Sequence, residues 1–209
     1  MKEYRDYYFN KAKRENYPAR SVYKLKELDK KYRLLKKGIK VLDLGAAPGS
    51  WTQGALEKIG ESGALVACDL KPLGIRLAAN AKFYQEDIFK PSEDFLRVLR
   101  EDGPFDLIMS DMAPATTGSK FTDQARSLDL CKRAFEFARE YLKSDGNFAV
   151  KIFMGPDVGE LLESMREVFE DVKTFKPKSS RAESKETFFV GLRFKAPDHE
   201  SLPKGQARV

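Results

Sequence analysis

The sequence predicts an α/β protein with a mostly parallel seven-stranded sheet, helices on both faces and an antiparallel last strand. Short apolar segments alternate with segments of helical period along most of the chain. The apolar segments are nearly continuous, as is typical of strands buried on both faces of a parallel sheet. Near the end, two strand-like segments follow each other with no helical segment between them, so we expect them to pair antiparallel.

The first element is an amphipathic helix over residues 20–36, which Gly38 is expected to end. Its apolar residues recur every three or four positions: Val22, Leu25, Leu28, Tyr32 and Leu35.

The elements that follow alternate. Strands are predicted at 40–44, 64–69, 81–85, 105–111, 148–153, 171–176 and 187–194. Helices are predicted at 50–59, 73–79, 92–101, 122–142 and 156–169. The run Pro91-Ser92-Glu93-Asp94 is a typical helix start, and so is Pro156. We therefore expect a single domain over residues 1–194, with residues 195–209, which are polar and contain two prolines, as a flexible tail.

Composition excludes several classes of protein. The chain has 209 residues, of which 42% are hydrophobic and 33% charged, and this suits one domain. It contains neither an apolar run of roughly 20 residues nor an apolar N-terminal segment, so we expect a cytoplasmic protein. Cys68, Cys131 and His199 lack the spacing of disulfide or zinc sites, so we expect no metal. Nothing indicates an oligomer, and a monomer is the default expectation.

The charge is distributed unevenly. The net charge is +6, but residues 1–40 carry +9 and residues 173–209 carry +5, which leaves −8 for the middle. Basic ends around an acidic centre indicate that a polyanion binds across the ends. A solvated, lysine-rich surface explains the charge equally well.

A glycine-rich turn follows the strand at 40–44. Gly45 and Gly49 would let a ligand approach the backbone where the strand ends and a helix begins. The turn lacks the GxGxxG pattern of dinucleotide-binding proteins, and Asp43 favours a cationic ligand over a phosphate. An ordinary strand-to-helix turn is the alternative.

Three aspartates, Asp43, Asp69 and Asp87, stand at the ends of three successive strands. Asp69 is placed to accept hydrogen bonds from ribose hydroxyls and Asp87 from the amine of adenine. Each alone could be a capping residue. Together they match an adenosine that carries a positive charge, which is S-adenosylmethionine.

Lys151 lies inside an otherwise apolar strand, where a lysine is costly to bury unless it is paired or used. Asp111 ends the preceding strand, and Glu186 opens the last one. Lys24 lies beside the apolar stripe of the first helix. By composition alone, Lys24 and Glu186 would be solvated charges.

Five motifs occur in order between Asp43 and Glu186: DLGAAPGSW, ACDL, MSDMAP, VKIF and SSRAESKE. Together they resemble the FtsJ/RrmJ family of RNA ribose 2′-O-methyltransferases, and the resemblance covers roughly residues 10–194. The resemblance implies the class I S-adenosylmethionine-dependent methyltransferase (Rossmann-like) fold. One departure is Ser50, where bacterial members usually have glycine; its backbone N–H remains available.

The resemblance also implies site residues. A catalytic tetrad falls on Lys24, Asp111, Lys151 and Glu186. Contacts to S-adenosylmethionine fall on Gly49, Trp51, Asp69, Asp87 and Asp111, in addition to Asp43 and Gly45 from the pattern above. The implied substrate is a uridine ribose in large-subunit ribosomal RNA, with transfer RNA as the alternative.

The implied reaction is in-line transfer of a methyl group to a ribose 2′-hydroxyl. Lys151 would accept the hydroxyl proton or stabilise the charge that develops on the oxygen. As a like charge, Lys24 would lower the pKa of Lys151 and favour the first role. Asp111 and Glu186 would raise that pKa and favour the second, so the sequence leaves both roles open.

The RNA is expected to cross the N-terminal region and the 173–185 loop, which contains Lys178, Arg181 and Lys185. In the N-terminal region, basic residues alternate with aromatic ones that could stack on unpaired bases: Arg5, Lys11, Lys13, Arg14 and Arg20 with Tyr4, Tyr7, Tyr8, Phe9 and Tyr17. These aromatic residues could instead pack the segment onto the sheet. Two other classes remain open: an NAD-dependent oxidoreductase and a noncatalytic RNA-binding protein.

Overall fold

The computed structural model describes residues 2–180 and 184–195. Its helices are α1 (Lys2–Arg14), α2 (Val22–Tyr32), α3 (Ser50–Ile59), α4 (Glu93–Asp102), α5 (Lys120–Tyr141) and α6 (Val158–Val168). Its strands are β1 (Lys40–Leu44), β2 (Ala64–Asp69), β3 (Ala81–Gln85), β4 (Phe105–Ser110), β5 (Leu142–Phe153), β6 (Phe169–Phe175) and β7 (Glu186–Phe194). The tail expected at 195–209 lies outside the described residues after Lys195.

The predicted fold class is confirmed. The sheet has seven strands in the order β3-β2-β1-β4-β5-β7-β6. The pairs among β1 to β5 are parallel, and β7 runs antiparallel to both β5 and β6. A strand reversed between parallel neighbours begins where they end, so β7 begins at the edge of the sheet where β5 finishes.

Helices cover both faces, because neighbouring residues of a strand point to opposite sides. On β1, Leu42 belongs to the core beneath α4, α5 and α6, whereas Val41 belongs to the core beneath α2 and α3. On β5, Phe148 belongs to the core beneath α4, α5 and α6, and Ala149 to the core beneath α2 and α3.

Three predicted elements differ from the structure. The helix predicted at 20–36 ends at Tyr32, because Arg33 takes a left-handed conformation and donates its N–H to Asp29. No helix forms at 73–79: so short a helix is marginal by itself, and the backbone N–H of Gly74 donates to the carbonyl of Pro48 instead. Strand β5 begins at Leu142, six residues earlier than predicted.

Helix α1 was not predicted from the sequence, because few of its residues have a regular apolar spacing. Ala12 packs with Tyr17, Val22 and Tyr23 in a small cluster at the start of α2. No helix among the described residues is long and apolar enough to cross a bilayer.

Candidate active site at the carboxyl edge of the sheet

The site lies where the parallel strands end. Asp43 is the fourth residue of β1, Asp111 directly follows β4, and Lys151 is near the end of β5. Glu186, the first residue of β7, pairs in register with Phe153 at the end of β5. The reversed strand therefore brings Glu186 to the same edge of the sheet as the residues at the ends of the parallel strands.

Four charged side chains meet here in alternating order: Glu186, Lys24, Asp111 and Lys151. Lys24 Nζ lies 2.8 Å from Glu186 Oε2 and 3.8 Å from Asp111 Oδ1. Lys151 Nζ lies 3.0 Å from Asp111 Oδ1 and donates to the backbone carbonyl of Asp111. The structure thus brings together the four residues that the family resemblance implies as a tetrad.

Lys24, Lys151 and Glu186 are buried, with 9%, 7% and 9% of their surface exposed. A solvated role for Lys24 and Glu186, expected from composition alone, is therefore wrong. Two ammonium groups and two carboxylates compensate one another, which is the condition under which such charges tolerate burial. Burial alone would raise the pKa of Glu186, but the ammonium group of Lys24 outweighs it, and the pKa is lowered.

Helix α2 is held against the sheet by Trp51. Its indole Nε1 donates to the carbonyl of Ser21, 2.9 Å away, and its ring stacks on Phe188 with centroids 5.6 Å apart. Phe188 in turn pairs in register with Lys151. Trp51 therefore fixes the helix that carries Lys24 relative to the strand that carries Lys151, while its contact with a cofactor stays a prediction.

Asp43 is the most deeply buried acid of the site, with 1% of its surface exposed. Its Oδ2 accepts a hydrogen bond from Thr52 Oγ1 at 2.7 Å, and its buried Oδ1 has no partner. Burial raises the pKa of Asp43 to about 7, with Asp111 and Asp69 adding to the effect and the Thr52 hydrogen bond opposing it. A carboxylate oxygen left unpaired in the interior calls for a donor or a cation. This fits the positively charged ligand predicted from the sequence.

The glycine-rich turn is built for close contact. Gly45 has φ +79°, and a Cβ there would lie 2.1 Å from the side chain of Met112. Gly49 has φ +110°, and a Cβ there would lie 2.7 Å from Ile75. Any other residue would combine a left-handed backbone with a steric clash. The two glycines therefore let the turn fold against the residues on either side of it.

Asp69 and Asp87 shape the loops that follow their strands. Asp69 accepts from the backbone N–H groups of Ala47 and Lys71, each at 2.9 Å. Asp87 accepts from the backbone N–H of Phe89 at 2.9 Å. Each carboxylate keeps lone pairs for a ligand.

Sequence reasoning missed one residue of this region. Thr52 holds one oxygen of Asp43. Thr52 is the third residue of the helix predicted at 50–59, directly after the glycine-rich turn that Asp43 precedes. This position was the available signal.

Glu27 ties α2 to the segment that leads to β7. Its two carboxylate oxygens accept from the backbone N–H groups of Lys178 at 2.6 Å and Ser179 at 2.9 Å. Arg20 Nη2 donates to the carbonyl of Ser179 at 2.6 Å. Because Lys24 lies one turn before Glu27, the same helix holds Glu186 and the segment that precedes it. Arg181, in this segment, lies outside the described residues.

We expect Glu27→Ala to lower the free energy of unfolding by about 1–3 kcal/mol, because two backbone donors lose their acceptor. Turnover should fall as well, since Glu186 would be less well held beside Lys24. Urea denaturation measures the first effect, and an assay of the reaction that the family resemblance implies measures the second. Glu163→Ala, which truncates an exposed glutamate of α6, is the control and should change neither. Equal stability of the two variants would contradict the anchoring role of Glu27.

Among residues 2–180 and 184–195, no group of three or more His, Cys, Asp or Glu residues is arranged to hold a metal ion. The side chains at this edge instead combine buried amines with carboxylates. Such a set can bind a cationic ligand and a hydroxyl-bearing substrate close to each other.

Comparisons with known proteins agree with this arrangement. The profile of the FtsJ-like methyltransferase family matches residues 17–194. The chain is 58% identical to Ribosomal RNA large subunit methyltransferase E of Oleidesulfovibrio alaskensis over 206 residues, which are 99% of this chain and 100% of the relative. It is 50% identical to the protein of the same name from Bdellovibrio bacteriovorus over 192 residues, covering 90% and 96% of the two chains.

A crystal structure from Plasmodium falciparum, described as a ribosomal RNA methyltransferase, has a TM-score of 0.76 and 31% identity to this chain. The match covers 87% of this chain and 100% of that one. An oxidoreductase and a noncatalytic protein, the two other classes left open by the sequence, are not supported by these relatives. The profile match, the full-length relatives and the shared fold lead to one conclusion: the chain belongs to the FtsJ-like methyltransferase family.

Proposed function

We propose that the protein uses S-adenosylmethionine to methylate the 2′-hydroxyl of a ribose in large-subunit ribosomal RNA, at a uridine. The observation that carries the proposal is the alternating cluster of Glu186, Lys24, Asp111 and Lys151 at the edge of the sheet where Asp43 is buried with an unpaired oxygen. The names of the relatives support ribosomal RNA as the substrate. The protein is proposed to act in the cytoplasm.

The residues along β1, β2 and β3 would hold the cofactor. Asp43 would face its positive charge, Asp69 its ribose hydroxyls and Asp87 its adenine amine. Gly45 and Gly49 would let it approach the backbone. When bound, S-adenosylmethionine supplies a methyl group carried on a positively charged sulfur. The sulfur is the leaving group and keeps the electron pair of the broken bond.

The tetrad would act on the ribose. The 2′-oxygen must lose its proton as it forms a bond to the methyl carbon, and the charge that develops on it needs a nearby cation. Lys151, in the position that Asp111 fixes, is proposed to face this oxygen in one of two roles. As a neutral amine it would take up the proton on Nζ; as an ammonium group it would donate to the oxygen while the proton passes to solvent. Lys24 and Glu186 hold Asp111 and the substrate side of the site in place. Alignment of the reacting atoms supplies the rest of the rate increase.

The basic ends would bring the RNA to this edge. Residues 1–40 are proposed to form the main RNA-binding segment of the single domain, together with the segment after β6, which Glu27 holds against α2. The net charges of +9 and +5 at the two ends support this placement.

The test is to mix purified protein, labelled S-adenosylmethionine and total RNA, and to map the nucleotide that gains a methyl group. A 2′-O-methyl uridine in large-subunit ribosomal RNA is the expected product. Label found only in transfer RNA would mean that the substrate is transfer RNA and not ribosomal RNA. Label on a base, or no transfer, would overturn the proposed chemistry.

A further inference from the structure

A groove runs along α2 on the side of the site away from the cofactor residues. It lies between α1, α2 and the end of β6 and has a volume of about 590 Å³. Glu27 and Lys178, which help to hold α2 beside the tetrad, also line this groove. Glu27 follows Lys24 by three residues, a rise of about 5 Å along the helix. The groove therefore begins about one helical turn away from Lys24.

The groove is strongly basic. Five lysines line it: Lys11, Lys26, Lys30, Lys31 and Lys178. The carboxylate in the lining, Glu27, is engaged by backbone N–H groups. Glu15 offsets part of this charge, because its carboxylate oxygens lie 3.9 Å from Lys11 Nζ and 3.4 Å from Lys26 Nζ. Lys30 is exposed and forms no ion pair among the described residues. An anion that lies in the groove would meet an excess of positive charge.

Aromatic rings form the apolar part of the lining. Lys31 Nζ lies 4.8 Å from the centroid of the Phe175 ring, and Lys11 Nζ lies 4.8 Å from that of Tyr23. The rings of Tyr8 and Tyr23 are 5.2 Å apart. Tyr8 and Phe175 are partly exposed. Lysines beside accessible rings suit a ligand that has both phosphates and flat bases.

We propose that this groove binds an unpaired RNA segment adjacent to the target nucleotide, with phosphates on Lys30 and Lys31 and a base against Phe175. The inference rests on the proposed function. A duplex would not fit it as well, because the base faces in a duplex are stacked on one another and cannot reach the rings. The groove would thereby select RNA whose bases are already unpaired near the target ribose.

The test compares binding of an oligouridine of about 12 nucleotides and of an RNA duplex of equal length to the full chain. The variants are Lys30→Ala/Lys31→Ala and Phe175→Leu. The control is Lys82→Ala/Lys143→Ala, which removes the same charge from two exposed lysines at the opposite edge of the sheet. We expect the groove variants to weaken single-strand binding about tenfold. The double variant should also reduce the slope of log affinity against log salt by about 2.

The control should lose little affinity and keep the turnover of the parent, whereas the groove variants should need a higher concentration of ribosomal RNA to reach half of their maximal turnover. Three results would overturn the proposed role of the groove. They are no binding of the single strand by the parent, an equal loss of single-strand affinity in the control, or stronger binding of the duplex than of the single strand. None of these results would alter which nucleotide the parent protein methylates. Failure of the proposed function would instead appear in the methyl map of the parent protein.

Discussion

Replacing Lys151 with alanine is expected to lower the rate of methyl transfer by about 10³-fold, while the affinity for S-adenosylmethionine stays essentially unchanged. The Lys151 ammonium group is held 3.0 Å from Asp111 Oδ1. Within residues 2–180 and 184–195, it forms no hydrogen bond or ion pair with Asp43, Asp69 or Asp87, which are proposed to hold the cofactor. Its loss therefore removes the cation nearest the proposed ribose position, while Asp43, Asp69 and Asp87 keep their contacts and their side of the site. Single-turnover assays with labelled cofactor and calorimetric titration measure the two quantities.

Two further variants sharpen this test. Lys143→Ala removes an exposed lysine far from the edge and should leave turnover unchanged. Lys151→Arg keeps a positive charge but cannot take up a proton. Partial activity of Lys151→Arg would favour charge stabilisation, and complete loss would favour proton transfer. Turnover of Lys151→Ala within about tenfold of the parent would remove Lys151 from the mechanism.

Asp43→Asn is expected to stabilise the fold and to weaken cofactor binding at the same time. Burial raises the pKa of Asp43 to about 7 from 3.8, so the folded state binds the proton more tightly than the unfolded chain. The cost of the buried charge is therefore absent below about pH 4, grows as the pH rises toward 7 and is complete above it. Asparagine removes that cost, and we expect a gain of about 4 kcal/mol at pH 8 that disappears near pH 4.

Cofactor affinity should change in the opposite direction. We expect it to fall at least about tenfold in Asp43→Asn, because a neutral amide replaces the carboxylate that would face the positive charge. In the parent, affinity should also decline as the pH drops below about 7, and the variant should lack this dependence. Urea denaturation and cofactor titration from pH 5 to 8 test both. Asp129→Asn, on the exposed side of α5, is the control. A lower free energy of unfolding for Asp43→Asn than for the parent at pH 8 would contradict an uncompensated charge on Asp43.

The acids at the strand ends were predictable because two local rules place them. Alternation of apolar segments and helices predicts parallel strands, and parallel strands end at one edge of a sheet. Asp43, Asp69, Asp87 and Asp111 each follow or close such a segment. Their meeting at one edge therefore required no knowledge of long-range packing.

Other features depended on contacts that no local pattern carries. The helix predicted at 73–79 is absent because Gly74 bonds to the carbonyl of Pro48 across the glycine-rich turn. Helix α1 forms although its own sequence has little apolar periodicity, and Ala12 and Tyr17 pack it against α2. The anchoring of the segment before β7 by Glu27 joins residues 151 and 152 positions apart.

The sequence by itself determined the α/β fold, the acids at the edge of the sheet and the motifs of the methyltransferase family, because these depend on local period and on the order of segments. Only the tertiary structure decided that Lys24 and Glu186 are buried partners, 162 residues apart, and that Asp43 keeps an unpaired oxygen. The reason is physical: whether a charge lies in water or in the interior depends on which distant helix and strand close over it.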